Sequence, residues 1–148
     1  MQMKPWTKCI AMMALLLLLA SCGNGESETK TQTPAERAAA LDNGPRAAET
    51  MKFDASLAES GALLFDDKSC SDCHTMGEAD LAPDLTGVLE RRTQAWLTMQ
   101  ITQPEWMNQN DTITKGLIAE FDLEMVTEEV SDAEAEAILQ YLMREGRP

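Results

Sequence analysis

Five consecutive residues, Cys70-Ser71-Asp72-Cys73-His74, carry the chemistry most legible in this 148-residue chain. On a helical turn, positions three and four apart share a face, so two thiols and an imidazole meet one object. A structural zinc site wants four ligands. Outside the first 22 residues the chain holds only these two cysteines, and His74 is its sole histidine, so zinc would be short of a ligand. A thioredoxin-like dithiol belongs beside a βαβ pattern, and no strand run is visible nearby; a plain disulfide is a third reading. C-x-x-C-H is the attachment signature of a c-type haem, in which both sulfurs bond covalently to the porphyrin vinyl groups and the histidine ligates iron. The spacing favours this last chemistry.

The N-terminus reads as an address. Lys4 and Lys8 make a basic start, and Ile10 to Ala20 is an apolar run of eleven residues, short of the ~20 that span a bilayer as a helix. Residues 1–21 are therefore expected to be an export signal. Its end, Leu19-Ala20-Ser21-Cys22, resembles the lipobox of bacterial lipoproteins, which implies lipidation of Cys22 as the mature N-terminus. Acyl chains on one cysteine anchor a protein without spanning the membrane. The expected location is periplasmic, or the outer face of a membrane. Processing at Cys22 leaves 127 residues, a one-domain length. It removes two lysines and no acidic residue, so the formal charge moves from -13 to -15. Nucleic acid is an unsuitable partner for such a surface, and a basic protein surface a suitable one.

The elements that must position the motif begin after a polar stretch. Residues 22–52 read as lipid anchor and flexible linker, because GNGESETKTQTP and PAERAAALDNGPRAAET contain few large apolar residues to offset ordering entropy. As a coil, Gly23 to Met51 would span ~30 Å. Pro34 to Leu41 can form two helical turns, free or laid back on the domain. The folded domain is expected over 53–148. Asp54 or Ser56 can cap a first helix, and Leu57, Gly61, Leu64 and Phe65 form its apolar stripe. Thr93 caps a helix to about Gln103, ended by Pro104. A further helix runs from Asp111 to Phe121. The last starts at a Ser131/Glu134 capping box, carries Ile138, Tyr141 and Leu142 on its core stripe, and stops at Gly146. No segment reads as a strand.

From Phe53 onward the chain resembles the class I monohaem cytochromes c, specifically at CSDCH and more loosely in the flanking helices. The resemblance implies a small all-α fold of about four to five helices around one covalently bound haem, with Gly61 allowing close approach of the last helix. It implies that Ala82-Pro83-Asp84-Leu85-Thr86-Gly87 passes the proximal side, with Pro83 offering its carbonyl to His74. Arg91, Arg92 and Trp96 would serve the haem propionates, or form a solvated pair and a core indole. For the sixth iron position a second histidine is excluded. Of ten methionines, four leave with the signal, Met51 precedes the domain, Met76 is too near His74, and Met143 lies in the last helix. Met99, Met107 and Met125 survive. The family places its distal methionine in a loop before the last helix, which points to Met125, with Met107 as runner-up. The implied function is one-electron transfer by a monomer between redox proteins, with a terminal oxidase or nitrous-oxide reductase among the weaker likenesses. The rival classes are a haem enzyme or gas sensor with an open or labile sixth position, and a lipoprotein scaffold with an incidental disulfide.

Overall fold

Thr33 and Glu36 start the first helix, α1 (Pro34–Leu41), through a reciprocal capping box: the Glu36 amide donates to Thr33 Oγ1 at 3.2 Å and the Thr33 amide to Glu36 Oε2 at 2.8 Å. A second short helix, α2 (Ala47–Thr50), follows. The computed structural model describes residues 31–126 and 129–146. The export signal, Cys22 and the stretch up to Lys30 lie outside the described residues.

The expectation of a flexible linker up to residue 52 is corrected from residue 34 onward: the folded unit begins near Gln32, not Phe53. Two devices replace the missing large side chains. Ala38 and Ala47 are fully buried, as only small residues can be where backbones approach closely. Asp42 is a polar hub: Oδ1 accepts from Arg46 Nη1 at 3.0 Å and from the Thr93 amide at 2.9 Å, and Oδ2 lies 3.5 Å from Arg92 Nη1. The Ala47 amide donates to the Arg92 carbonyl at 2.9 Å, so the strap is sewn to residues beside the site.

Asp54 caps α3 (Ala55–Asp67), accepting from the Ser56 and Leu57 amides at 2.9 and 3.0 Å. Its buried face is Ala58, Gly61 and Phe65, with Leu64 half-buried against the core; of the expected stripe only Leu57, 38 % exposed, gives way, to Ala58. A single 3₁₀ turn, Cys70–Asp72, follows, and a loop leads to α4 (Val88–Arg91). Thr93 caps α5 (Gln94–Thr102). Pro104, expected only as a stop, also opens α6 (Pro104–Asn110), where its fixed φ suits the first helical position. Asp111 caps α7 (Thr112–Phe121), and the Ser131/Glu134 box starts α8 (Asp132–Glu145). Among the described residues there are eight α-helices and no strand, so the all-α fold holds; α1 falls on the two helical turns expected for Pro34 to Leu41, and α2, α4 and α6 lie beyond the expected set.

The principal packing is α3 against α8. A Cβ on Gly61 would stand 1.9 Å from the Ala137 carbonyl oxygen, so the glycine is what permits this crossing. Phe65 and Tyr141 meet beside it with ring centroids 5.1 Å apart. Leu97 and Ile101 of α5, Met107 of α6, and Ile138, Leu139 and Leu142 of α8 complete the core. Helix α7 differs: only Thr114 is buried, and Leu117, Ile118 and Phe121 turn toward a cavity instead of another helix. No helix among the described residues is long and apolar enough to cross a membrane.

Candidate functional site

The site is built on the turn that ends α3. Ser69 takes a left-handed φ of 57°, and the Cys73 and His74 amides both reach the Cys70 carbonyl, at 3.3 and 3.0 Å. One tight turn thus sets both thiols and the imidazole along one cavity. The thiols are free rather than joined. Burial pushes the Cys70 thiol above its ordinary pKa, which keeps it protonated in the unligated chain.

Pro83 fixes the imidazole. His74 Nδ1 lies 3.0 Å from the Pro83 carbonyl oxygen; since a carbonyl only accepts, Nδ1 carries the proton and Nε2 keeps its lone pair. Burial pulls the His74 pKa down, with the Pro83 bond opposing, so the ring is held neutral, the form that ligates a metal. The Pro83 loop is itself pinned. Asp84 Oδ1 accepts from the Gly77 and Thr86 amides, both at 2.8 Å, and these bonds, that from Thr86 first, hold its carboxyl below the usual range.

The cavity encloses about 360 Å³. Its wall is mainly apolar, with Leu97, Ile101, Leu117, Ile118, Phe121 and Ile138 contributing. Trp96 also lines it, and the indole Nε1 is buried with no hydrogen-bond partner among the described residues. A buried donor left unmatched is costly unless something in the cavity accepts from it. Arg91 and Arg92 line the same space. Arg91 donates to the Thr86 carbonyl and, at 3.0 Å, to the Asp84 carbonyl; Arg92 donates to the Arg91 carbonyl at 3.0 Å and stands over the Trp96 ring at 5.3 Å. Arg91 is exposed although bonded to the Pro83 loop, and Arg92 is half-buried between the strap and the indole.

The three methionines left open by the sequence separate by position. Met107 is fully buried in the core and, like Met99, does not line the cavity. Met125 does. Its Sδ accepts from Gln100 Nε2 at 3.3 Å, and its carbonyl from Asn108 Nδ2 at 2.9 Å. Sequence reasoning missed Gln100, Asn108 and Asp42. Gln100 had a readable signal, since it falls four residues after Trp96 on the buried face of α5.

These residues fit a covalently held haem: two free thiols and a neutral imidazole nitrogen on one side of the chain's chemistry, an apolar wall, and an indole donor awaiting an anionic or polar acceptor. A helical domain with such a site defines a haem-attachment protein. The cytochrome c family profile matches residues 58–144, and the chain belongs to that family. Among solved structures, the cytochrome c from Rhodothermus marinus is similar, with 30 % identity and a TM-score of 0.63 over 77 % of this chain and 97 % of that one. An engineered form of it gives 29 % identity and a TM-score of 0.63, covering 77 % and 98 %. A second structure of the engineered form, bound to a carbene intermediate, gives 29 % and 0.61 with the same coverage. No curated protein matches the chain in sequence. The protein is a cytochrome c: its cofactor is covalent haem c and its activity is haem-based electron transfer.

Proposed function

We propose that the protein is a class I monohaem cytochrome c, held at a membrane by lipid on Cys22, that carries one electron at a time through a haem ligated by His74 and Met125. The haem supplies the iron(II)/iron(III) couple, and a His/Met pair sets it at a raised potential. One C-x-x-C-H motif and one histidine in the whole sequence support a single haem. The observation that carries the ligand assignment is Met125, whose side chain shares the cavity of Cys70, Cys73 and His74 and is held at both its sulfur and its carbonyl.

Partner recognition follows from the cavity mouth. Leu81, Leu123 and Val126 line the cavity yet are 55, 44 and 70 % exposed, an apolar rim for close packing. Asp80, Asp122 and Glu124 are exposed neighbours in the chain, and the whole mature protein carries a formal charge of -15. This suits redox proteins with a basic docking surface, a terminal oxidase or nitrous-oxide reductase among them. Export and the Cys22 anchor place the carrier on the periplasmic or outer face of a membrane, at high effective concentration for partners there.

The test is a pair of variants. Met125→Ala is expected to abolish the weak iron-sulfur charge-transfer band of the oxidised protein and to let carbon monoxide bind the reduced form, creating the open site that a haem enzyme or gas sensor needs. Met107→Ala is expected to change neither. The opposite pattern would overturn the assignment.

A further inference from the structure

We infer that Gln100 is a positioning residue for the redox centre: its amide hydrogen-bonds the Met125 sulfur, weakens that sulfur as a donor to iron, and so raises the reduction potential. This rests on Met125 as the distal ligand. A thioether sulfur has two lone pairs, so one can face the metal while the other accepts the bond from Gln100 Nε2 at 3.3 Å. A donor pulling density from the sulfur disfavours the more electron-demanding oxidised iron. The potential therefore rises with the bond and falls without it.

The orientation of the amide is set at its sulfur end. Thr114 Oγ1 lies 2.7 Å from Gln100 Oε1 and 3.0 Å from Asp111 Oδ1. Reversing the amide would set a carbonyl oxygen against the sulfur, acceptor on acceptor; in the observed orientation the sulfur has a donor, and the one Thr114 hydroxyl proton goes to Gln100 Oε1 at the shorter of its two contacts, Asp111 Oδ1 being served by the Thr114 amide at 2.8 Å. Gln100, Thr114 and Asp111 are 9, 3 and 1 % exposed, so water cannot easily replace a lost partner. The chain of contacts runs from the N-cap of α7 through α5 to the loop bearing Met125, and Asn108 of α6 holds the same methionine by its carbonyl. A loop residue is thereby anchored by three helices.

The experiment measures the reduction potential and the iron-sulfur band of the full haem-loaded protein and of Gln100→Leu, Thr114→Val and Thr114→Ser. Gln100→Leu keeps the volume and removes the donor. It is expected to retain the band while the equilibrium shifts toward the oxidised form by two- to tenfold, at most ~59 mV for one electron. Thr114→Val, which frees the amide without touching the methionine, is expected to give a smaller shift in the same direction, and Thr114→Ser to restore the native potential. A retained band with an unchanged potential in Gln100→Leu and Thr114→Val would overturn the inference while leaving the ligand reading intact. Persistence of the band in Met125→Ala would instead defeat the ligand reading itself. Should Gln100→Leu fail to fold, the Thr114 pair decides the matter alone.

Discussion

Gly61→Ala is the sharpest test of the packing that frames the site. The new Cβ would lie 1.9 Å from the Ala137 carbonyl oxygen and 2.5 Å from its carbon, where real Cβ contacts essentially never fall below 3.0 Å. Both atoms are backbone in the middle of α8, so no side chain can swing aside. The helices must part by more than 1 Å at their crossing, taking Phe65 and Ile138 out of register. Overpacking of this kind costs about 1–3 kcal/mol. The helix propensity gained by replacing glycine, about 1 kcal/mol, would make the substitution stabilising if the two helices did not touch there. Since the contact is with rigid backbone, the upper part of the overpacking range applies, for a net loss of about 1–2 kcal/mol and a melting temperature lower by roughly 4–10 °C. The assay is denaturant unfolding of the haem-loaded protein followed by far-ultraviolet circular dichroism, with the midpoint falling at unchanged slope. An equal or higher midpoint would refute the close crossing.

Three further outcomes follow from other parts of the molecule. Asp42→Ala removes acceptors for Arg46, Arg92 and the Thr93 amide at a largely buried hub, and is expected to destabilise by about 1–3 kcal/mol in urea titrations; a neutral result would mean that the N-terminal strap is not integral to the fold. Glu134 has its carboxyl held below its ordinary range, first by the Ser131 amide and then by the Ser131 hydroxyl. Its contribution is therefore complete above the unfolded value and lost as pH falls through the folded one, so the stability gap between wild type and Ser131→Ala should narrow as pH drops below about 4.5. Finally, the second-order rate of electron exchange with a basic redox partner should fall as salt is raised toward 0.1 M, where screening acts over ~10 Å, while the rate within the complex stays nearly constant. A rate that is flat or rises with salt would remove the acidic surface from docking.

The parts of this structure legible in the sequence are those written in local spacing. Cys70, Cys73 and His74 lie within one turn, Ser131 and Glu134 cap α8 across three residues, and Pro83 lies nine residues from the imidazole that it orients. Gly61 could be read because a glycine inside an apolar stripe needs a packing reason. What stayed hidden depends on partners far along the chain. The strap of α1 and α2 looked disordered by composition because its stability comes from buried alanines and from Asp42, whose partners Arg92 and Thr93 are fifty residues on. Helix α6 was hidden behind Pro104, which ends one helix and begins the next. Gln100 and Asn108 gain their roles only when the loop carrying Met125, 25 and 17 residues away, folds over them.

In the carrier of single electrons that we propose, His74 and Met125 close the iron of a covalent haem. A spectroelectrochemical titration of the intact protein at the iron-sulfur charge-transfer band, repeated under carbon monoxide, tests it most directly. The expected result is a single reversible one-electron wave, a band that vanishes in step with reduction, and a midpoint that carbon monoxide does not move. An oxidised protein without the band, together with a midpoint driven upward by carbon monoxide, would show an open iron site and contradict it.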